Sequence, residues 1–199
     1  MARLLVLLFT LVALTGCATE PGQGEQRAPV AVTTEQPAPA TVADPASIDI
    51  PAIGAKSTLI PLGLNPEGSR DGVPDGTLEV PDVKTPEQAG WFRDGGVKPG
   101  NIGPAVVVGH VDGGGRKGIF YRLTDLQVGD PVHVRLHDGR TLTFKVYREQ
   151  VAPKDAFPTE SVYGDTERPE IRLITCTGNF VGGSLGYADN AIAYAVLVD

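Results

Sequence analysis

The sequence predicts an all-β domain, built as a barrel or a sandwich. Short apolar runs, several of them alternating or rich in β-branched residues, recur along the chain and are separated by turn signals. The chain holds 25 Gly and 17 Pro among 199 residues, whereas helical periodicity is scarce. Many short strands, frequent turn residues and few helices together favour this fold class.

Two of the predicted strand regions stand out. Residues 105–109 are a continuous apolar run and the strongest single strand signal. Residues 131–136 and 141–150 are predicted to pair as a hairpin, because Asp138-Gly139 between them is a strong turn signal. The other predicted strands are residues 47–53, 58–62, 78–80, 169–176 and 191–198, and one or two helical turns are predicted in residues 84–90, 116–123 and 154–162.

The first residues are interpreted as a targeting segment. Residues 1–16 form a predicted signal peptide, with Arg3 as its positive region and an apolar stretch too short to span a bilayer comfortably. The quartet Leu14-Thr15-Gly16-Cys17 resembles the bacterial lipobox, which predicts lipidation of Cys17 and anchoring to a membrane. The alternative is an ordinary secretory signal, or a short membrane anchor, that ends in cysteine.

The rest of the chain divides into a linker and a domain. Residues 17–46 are rich in Ala, Pro, Thr, Glu and Gln without apolar periodicity, which predicts a disordered tether. Residues 47–199 are long enough for one domain with a substantial core. The formal net charge of −7 argues against nucleic acid as a partner, because phosphate binding requires a basic face.

Cys176 is the most informative candidate functional residue. It ends an apolar, β-branched run, and Thr177-Gly178-Asn179 directly after it predict a turn. The other cysteine, Cys17, belongs to the leader, so Cys176 has no cysteine partner within the mature domain. An unpaired cysteine in an exported protein is either an inert core residue or a reactive nucleophile, and a thiol at a strand end is open to a substrate.

His110 is the candidate partner of the thiol. It follows the apolar strand and precedes three consecutive glycines, so its imidazole is placed for proton transfer. His110 and Cys176 are 66 residues apart, and only folding can join them. His133 and His137 are interpreted as surface residues. A metal site needs three or four ligands, and the pair lacks a clear third, so no metal and no other cofactor is expected.

Several separated stretches of the domain resemble the sortase family. Residues 105–121, which include His110, resemble the histidine region of sortases, and Leu173-Ile174-Thr175-Cys176 resembles their Thr-Leu-X-Thr-Cys nucleophile motif. Residues 123–130, Gly90-Trp91-Phe92 and Ile48-Asp49-Ile50-Pro51 resemble other sortase segments. The resemblance covers residues 47–199 and is greatest to the actinobacterial class F sortases.

The resemblance implies an eight-stranded β-barrel with a few short helices and the activity of a cysteine transpeptidase. Cys176 would attack a Thr-Gly bond in the C-terminal sorting signal of a secreted protein and form a thioester. His110 would protonate the leaving amine and help to deprotonate the incoming amine, often that of a peptidoglycan precursor. Anchoring at the extracytoplasmic face of the bacterial membrane fits these partners.

The sequence departs from the family at Ala188. Sortases carry an arginine on the strand after the cysteine, in class F within Tyr-Arg-Asp-Asn, whereas this chain reads Tyr187-Ala188-Asp189-Asn190. Losing one donor to the tetrahedral oxyanion costs on the order of a hundred- to a thousandfold in turnover. Three explanations are open. The alanine belongs to a natural variant, it is an engineered substitution, or another group takes the role of the arginine, namely Arg172, Arg116 or the Asn190 amide. Taken alone, Arg172 is interpreted as a surface charge.

Four further side chains receive predictions. Thr175 lines the substrate pocket or simply fills a strand position, and Asn190 is a second candidate substrate contact. Asp112 is interpreted as a turn cap rather than as an orienting partner of His110. Trp91 is predicted to lie in the core or in a groove wall. Because the expected arginine is missing, the alternative function is a catalytically silent, sortase-like lipoprotein that binds sorting signals or cell-wall material.

Overall fold

Eight strands close into a barrel, and two more form a small separate sheet. The computed structural model describes residues 41–66, 76–94, 96–183 and 185–199. The strands are β1 (Pro45–Ile50), β2 (Ala55–Leu62), β3 (Ala89–Phe92), β4 (Gly103–Gly109), β5 (Asp112–Gly113), β6 (Arg116–Lys117), β7 (Pro131–Leu136), β8 (Thr141–Pro153), β9 (Pro169–Gly182) and β10 (Gly186–Leu197). Around the barrel their order is β1-β2-β3-β4-β9-β10-β8-β7, while β5 pairs with β6. The predicted all-β class and the eight-stranded barrel are confirmed.

Helical structure among the described residues is short. It consists of the α-helix α1 (Thr159–Tyr163) and of 3-10 turns at Pro51–Ile53, Leu123–Asp125 and Lys154–Ala156. No helix in the described ranges has the length and apolar character needed to cross a membrane. The predicted signal peptide, Cys17 and the tether up to residue 40 lie outside the described residues.

Alternation along the central strands produces two apolar layers. Inward-facing side chains such as Val107 of β4 and Leu173 of β9 fill the barrel. Their outward-facing neighbours Val108 and Ile174 pack instead with Val162 of α1 in a second cluster. Both faces of β4 are therefore buried, which explains why residues 105–109 are apolar without interruption. The candidate site lies where this outer layer ends, beyond the last paired residues of β4.

Strand β9 runs past Cys176, so the predicted strand end at this residue is wrong. The strand continues to Gly182 and pairs with β10. Strand β10 begins at Gly186 rather than at the predicted Ala191. The two strands form a long antiparallel hairpin, and Cys176 lies within its paired length.

A β-bulge explains why the residues after Cys176 resemble a turn. Gly178 and Asn179 of β9 oppose the single residue Ala188 of β10, between the flanking pairs Thr177–Asp189 and Phe180–Tyr187. Gly178 has a φ of 80°, in the left-handed region that glycine adopts at such bulges. The turn signal in the sequence therefore marks an irregularity inside the hairpin and not its end.

Several other local predictions differ from the structure. Strand β3 escapes prediction, because its four residues are too few to show alternation. Residues 84–90 contain turns and the start of β3, and residues 116–123 contain β6 and turns, so the helical turns predicted there are absent except at Leu123, which begins a 3-10 turn. Leu78 forms a single bridge with Leu64 instead of a strand. The helical turns predicted in residues 154–162 are confirmed by Lys154–Ala156 and α1.

Candidate active site

The parallel pairing of β4 with β9 brings His110 and Cys176 to neighbouring positions. Val108 pairs with Ile174, a register offset of 66 residues. His110 is the first residue after β4, and the same offset continued by two residues leads from His110 to Cys176. Adjacent strands are about 4.8 Å apart, and residues two positions further along share the face of the starting pair. The 66-residue separation of His110 and Cys176 in the sequence is therefore equal to the register offset between β4 and β9.

The Cys176 thiol lies at the outer surface of the barrel rather than in its core. It is a free cysteine and is half-buried. Alternation along β9 places it on the face of Ile174, which belongs to the outer apolar cluster. Its cross-strand partner on β10 is Asn190, which is also half-buried. The structure therefore brings the predicted substrate contact Asn190 beside the thiol.

The His110 ring is held by a main-chain carbonyl that no sequence pattern predicts. Its Nε2 lies 2.6 Å from the carbonyl oxygen of Pro81. A carbonyl only accepts hydrogen bonds, so Nε2 carries a proton and, in the neutral ring, Nδ1 is the free base. The His110 carbonyl accepts a 3.0 Å hydrogen bond from the Phe120 N–H, and a Cβ at Gly118 would collide with it. The imidazole is therefore positioned from both its ring and its backbone.

A side-chain hydrogen bond joins the segment after His110 to the hairpin that carries Cys176. The Tyr187 hydroxyl of β10 donates to the Asp112 carboxylate of β5. This hydrogen bond raises the pKa of Tyr187, and burial and the charges of Asp112, Cys176 and Tyr121 raise it further. The interpretation of Asp112 as a turn cap is wrong. Among its described neighbours the carboxylate bonds a tyrosine, and it does not bond His110.

The side chains of the other residues that received predictions do not face the thiol. Thr175 is 4% exposed and, by alternation, faces the barrel interior, where its hydroxyl has no hydrogen-bond partner among the described residues. Trp91 is buried in the core cluster, one of its two predicted places. His133 is half-buried beside Thr143 on β7, and His137 is exposed. Within the described ranges no group of three or more acidic, histidine or cysteine side chains could hold a metal ion.

Comparison with known proteins identifies the family. A sequence model of the sortase domain matches residues 48–198. This chain belongs to the sortase family. Sortases are cysteine transpeptidases of the cell surface, which act on proteins bearing sorting signals and on amine nucleophiles. No curated protein matches the chain.

Solved sortase structures share the fold. A lid mutant of sortase A from Corynebacterium diphtheriae is similar with a TM-score of 0.58 and 23% identity, over 80% of this chain and 73% of that chain. Sortase C-1 from Actinomyces oris has a TM-score of 0.57 and 22% identity, over 77% of this chain and 71% of that chain. Sortase C from Clostridium perfringens SM101 has a TM-score of 0.54 and 17% identity, over 80% of this chain and 72% of that chain. These similarities establish the sortase fold without separating its classes, so the resemblance to class F remains a prediction.

The two arginines considered as substitutes at position 188 are already engaged in this sortase. The interpretation of Arg172 as a surface charge is wrong, because the residue is 2% exposed. It forms a 2.6 Å ion pair with Glu170 and lies four residues from Cys176, about 13 Å along the strand. Arg116 of β6 forms a 2.8 Å ion pair with Glu87. The Asn190 amide is the one predicted substitute that lies beside the thiol.

Lys154 is the cation next to Ala188, and sequence reasoning missed it. Asp189 pairs with Pro153, so the next position in this antiparallel register places Ala188 opposite Lys154. Both residues line one cavity of about 340 Å³, and the Lys154 ammonium donates a 2.6 Å hydrogen bond to the Leu185 carbonyl. Sequence reasoning considered Arg116 and Arg172 but not Lys154, because only the β8–β10 register brings Lys154 next to Ala188.

Proposed function

We propose that this sortase cleaves the Thr-Gly bond of a C-terminal sorting signal and transfers the acyl group to a cell-wall amine. The observation that carries the proposal is the parallel β4–β9 register, whose 66-residue offset at Val108–Ile174, continued by two residues, brings His110 next to Cys176. The thiol is free, half-buried and outside the barrel, where an extended peptide can reach it. A nucleophile and a base on adjacent strands are the minimum that thioester chemistry requires.

The proposed reaction has two steps. In the first, the Cys176 thiolate attacks the threonine carbonyl carbon, and the tetrahedral intermediate collapses as the C–N bond breaks and His110 delivers a proton to the leaving glycine amine. In the second, an incoming amine attacks the thioester carbonyl and gives its proton to His110, while the C–S bond breaks and its electron pair returns to sulfur. The imidazole acts as acid and then as base, which its anchored ring supports.

The proposed location is the extracytoplasmic face of the bacterial membrane. The lipobox-like quartet ending at Cys17 supports lipid anchoring, and residues 17–46 would act as a tether between the lipid and the barrel. Substrates that leave the cell by secretion and peptidoglycan precursors at the membrane surface would meet the enzyme there. Class F is the class that the motifs of the chain favour.

The alanine at position 188 is expected to slow the reaction. Loss of one preorganised donor costs about a hundred- to a thousandfold in turnover. In the β8–β10–β9 register, Lys154 lies opposite Ala188 directly after β8, Asn179 lies opposite it in the β9 bulge, and Asn190 lies two residues further along β10 beside Cys176. A slow transpeptidase, rather than a fast one, is therefore the expected activity.

Intact mass spectrometry tests the proposal directly. The protein is incubated with a peptide of the Leu-Pro-X-Thr-Gly type, and an acyl adduct is expected on the wild type but not on Cys176→Ala. His110→Gln should reduce adduct formation strongly, whereas the matched control His133→Gln should not. An adduct that persists in Cys176→Ala would refute the assignment of the nucleophile.

A catalytically silent sortase-like protein is the second candidate, favoured by Ala188. It would bind sorting signals or cell-wall material without cleaving them. Binding of the peptide without any thioester or amide product, in both the presence and the absence of an amine, would decide for this function. Products that form only by hydrolysis would instead indicate a thiol hydrolase.

A further inference from the structure

A cleft of about 480 Å³ opens beside the proposed catalytic pair. One wall is the β5–β6 hairpin, and the other is formed by Tyr121, Phe180 and Tyr187. Phe180 and Tyr187 are a cross-strand pair with ring centroids 5.2 Å apart in an edge-to-face arrangement, and Phe180 is 71% exposed. The volume is within the range of small-molecule sites.

The turn of the β5–β6 hairpin adds no side chains to the cleft. Gly114 and Gly115 form its two-residue turn, with φ values of 55° and 75°. Both central residues of such a turn need positive φ, so glycine suits both places. No atom lies within 4 Å of the position of a Cβ at either glycine. A ligand in the cleft can therefore approach the main chain of the hairpin closely.

The cleft lies on the histidine side of the reacting pair. Asp112, one of its lining residues, is two positions after His110 in the chain. Tyr187 also lines it, and the charge of Cys176 contributes to the raised pKa of this tyrosine. An acceptor amine must come within hydrogen-bond reach of the base that deprotonates it. A ligand in this cleft would therefore place its amine on the side of His110.

The charges of the cleft are matched to a molecule that carries both signs. The Asp112 carboxylate uses one oxygen for the Tyr187 hydroxyl, and its other oxygen has no hydrogen-bond partner among the described residues. The Lys117 ammonium lies 4.5 Å from the centroid of the Tyr121 ring and forms no ion pair within the described ranges. Arg116, at the same hairpin, is partly neutralised by Glu87. Lys117 is thus the cation open to a carboxylate.

We infer that this cleft is the acceptor site and that it selects amines carrying a carboxylate, such as an amino acid or the stem of a peptide. The inference rests on the proposed function, because it requires a thioester to be resolved. The ammonium of the acceptor binds near Asp112 and first loses one proton to solvent; the resulting amine then attacks the thioester carbonyl carbon and gives a further proton to His110. The carboxylate binds Lys117, and the new amide bond forms as the C–S bond to Cys176 breaks. The aromatic wall covers the carbon chain between the two charged ends.

Matched acceptors test this assignment. The acyl-enzyme is formed with a sorting peptide and then resolved by triglycine or by triglycinamide, which share the amine but differ in the terminal charge. Lys117 is exposed, and an exposed ion pair contributes about 0.2–1 kcal/mol, so the KM for triglycine should be lower by roughly two- to fivefold. Lys117→Met should remove this preference, and Lys117→Arg should keep it. Lys145→Met, on the exposed side of β8, is the matched control and should change nothing.

The first step separates the two hypotheses. The rate of thioester formation is measured separately for every variant, so that a difference between triglycine and triglycinamide is assigned to the second step alone. Equal use of triglycine and triglycinamide by an enzyme that acylates normally would overturn the acceptor site and leave the transpeptidase standing.

A binding measurement keeps the inference testable if no acyl-enzyme forms. In the Cys176→Ala protein, triglycine should shift the NMR amide signals of Gly113, Gly114 and Gly115, and Lys117→Met should weaken the shift. An absence of these shifts, or equal shifts from triglycinamide, would overturn the inference. If the shifts follow the expected pattern but no acylation occurs, the result contradicts the proposed catalysis and leaves the acceptor site standing.

Discussion

Tyr187 donates a hydrogen bond to Asp112 and so connects the two parts of the chain that supply the candidate nucleophile and base. Tyr187 lies on β10, the strand paired with β9, and Asp112 lies two residues after His110. The barrel itself fixes the strands, but His110 lies beyond the end of β4. The Tyr187–Asp112 bond, together with the Pro81 carbonyl, holds this unpaired continuation against the hairpin.

Removing the Tyr187 hydroxyl should impair catalysis more than stability. Tyr187→Phe is expected to lower kcat for thioester formation by about tenfold, because a base displaced from its nucleophile transfers protons less efficiently. The free energy of unfolding should fall by only about 1 kcal/mol, the usual worth of one hydrogen bond. The measurements are single-turnover acylation and urea denaturation.

Tyr147→Phe is the matched control, because the Tyr147 hydroxyl also donates to a carboxylate, that of Glu170, at 2.7 Å. Its rate of acylation should remain that of the wild type. Equal losses of activity in the two variants would contradict a positioning role for the Tyr187–Asp112 bond.

The same bond should be visible in a pH titration. The Asp112 hydrogen bond raises the pKa of Tyr187 above its ordinary value of 10.0. A group with a raised folded-state pKa stabilises the protein below its unfolded pKa, and this stabilisation is lost as the pH rises through the folded pKa. The loss is therefore expected above pH 10.0.

Phenolate absorbance near 295 nm, as the difference between wild type and Tyr187→Phe, reports this ionisation. Asp112→Ala should move the Tyr187 transition to lower pH, because it removes the first cause of the raised pKa. An unchanged transition in Asp112→Ala would mean that burial and the other charges suffice to raise the pKa of Tyr187.

Restoring a guanidinium at position 188 should accelerate the enzyme. Ala188→Arg is expected to raise the rate of thioester formation by up to about a hundredfold, the contribution of one oxyanion donor. The rate of adduct formation with a sorting peptide measures it. No change would mean that another group already supplies the donor.

Lys154→Met identifies that group. If the Lys154 ammonium substitutes for the missing arginine, Lys154→Met should slow acylation in the Ala188 protein and have a much smaller effect in Ala188→Arg. Its hydrogen bond to the Leu185 carbonyl also holds the β9–β10 hairpin, so the melting temperature of each variant is measured alongside.

The buried ion pair of Arg172 and Glu170 should govern stability rather than activity. The Arg172 side chain is 3% exposed, so Glu170→Ala would leave a buried cation without its partner. Such a loss costs about 3 kcal/mol in the free energy of unfolding, measured by urea denaturation. The exposed pair of Lys56 and Asp49 should contribute less than about 1 kcal/mol, so Asp49→Ala serves as the control. A loss no larger than that of Asp49→Ala would refute the structural role of the pair.

The elements that sequence reasoning located correctly are those whose local chemistry decides the conformation. The β7–β8 hairpin begins and turns where predicted, and Gly139 has a φ of 89°, which its place in an Asp-Gly turn requires. The fully apolar run of β4 was also clear, since both of its faces are buried. In both cases a residue's own preferences agree with its surroundings in the fold.

The features that escaped prediction depend on distant parts of the chain. Gly178 has the same local signature in a bulge as in a turn, and only the pairing with β10 distinguishes the two. The Pro81 carbonyl that orients His110 could have come from any residue, because every residue has a carbonyl. Lys154 comes next to Ala188 through the β8–β10 register, which no local pattern encodes.

The parallel β4–β9 register makes the alignment of His110 with Cys176 depend on a single strand pairing. Because side chains alternate between faces, sliding β9 by a single residue would turn the sulfur into the barrel and bring Thr175 outward. An added residue fits within a paired strand only as a β-bulge, as at Gly178–Asn179. Insertions in the long crossover between the two strands can therefore lengthen loops without moving the thiol, whereas one residue added between Ile174 and Cys176 without a bulge would turn the thiol away from the proposed base.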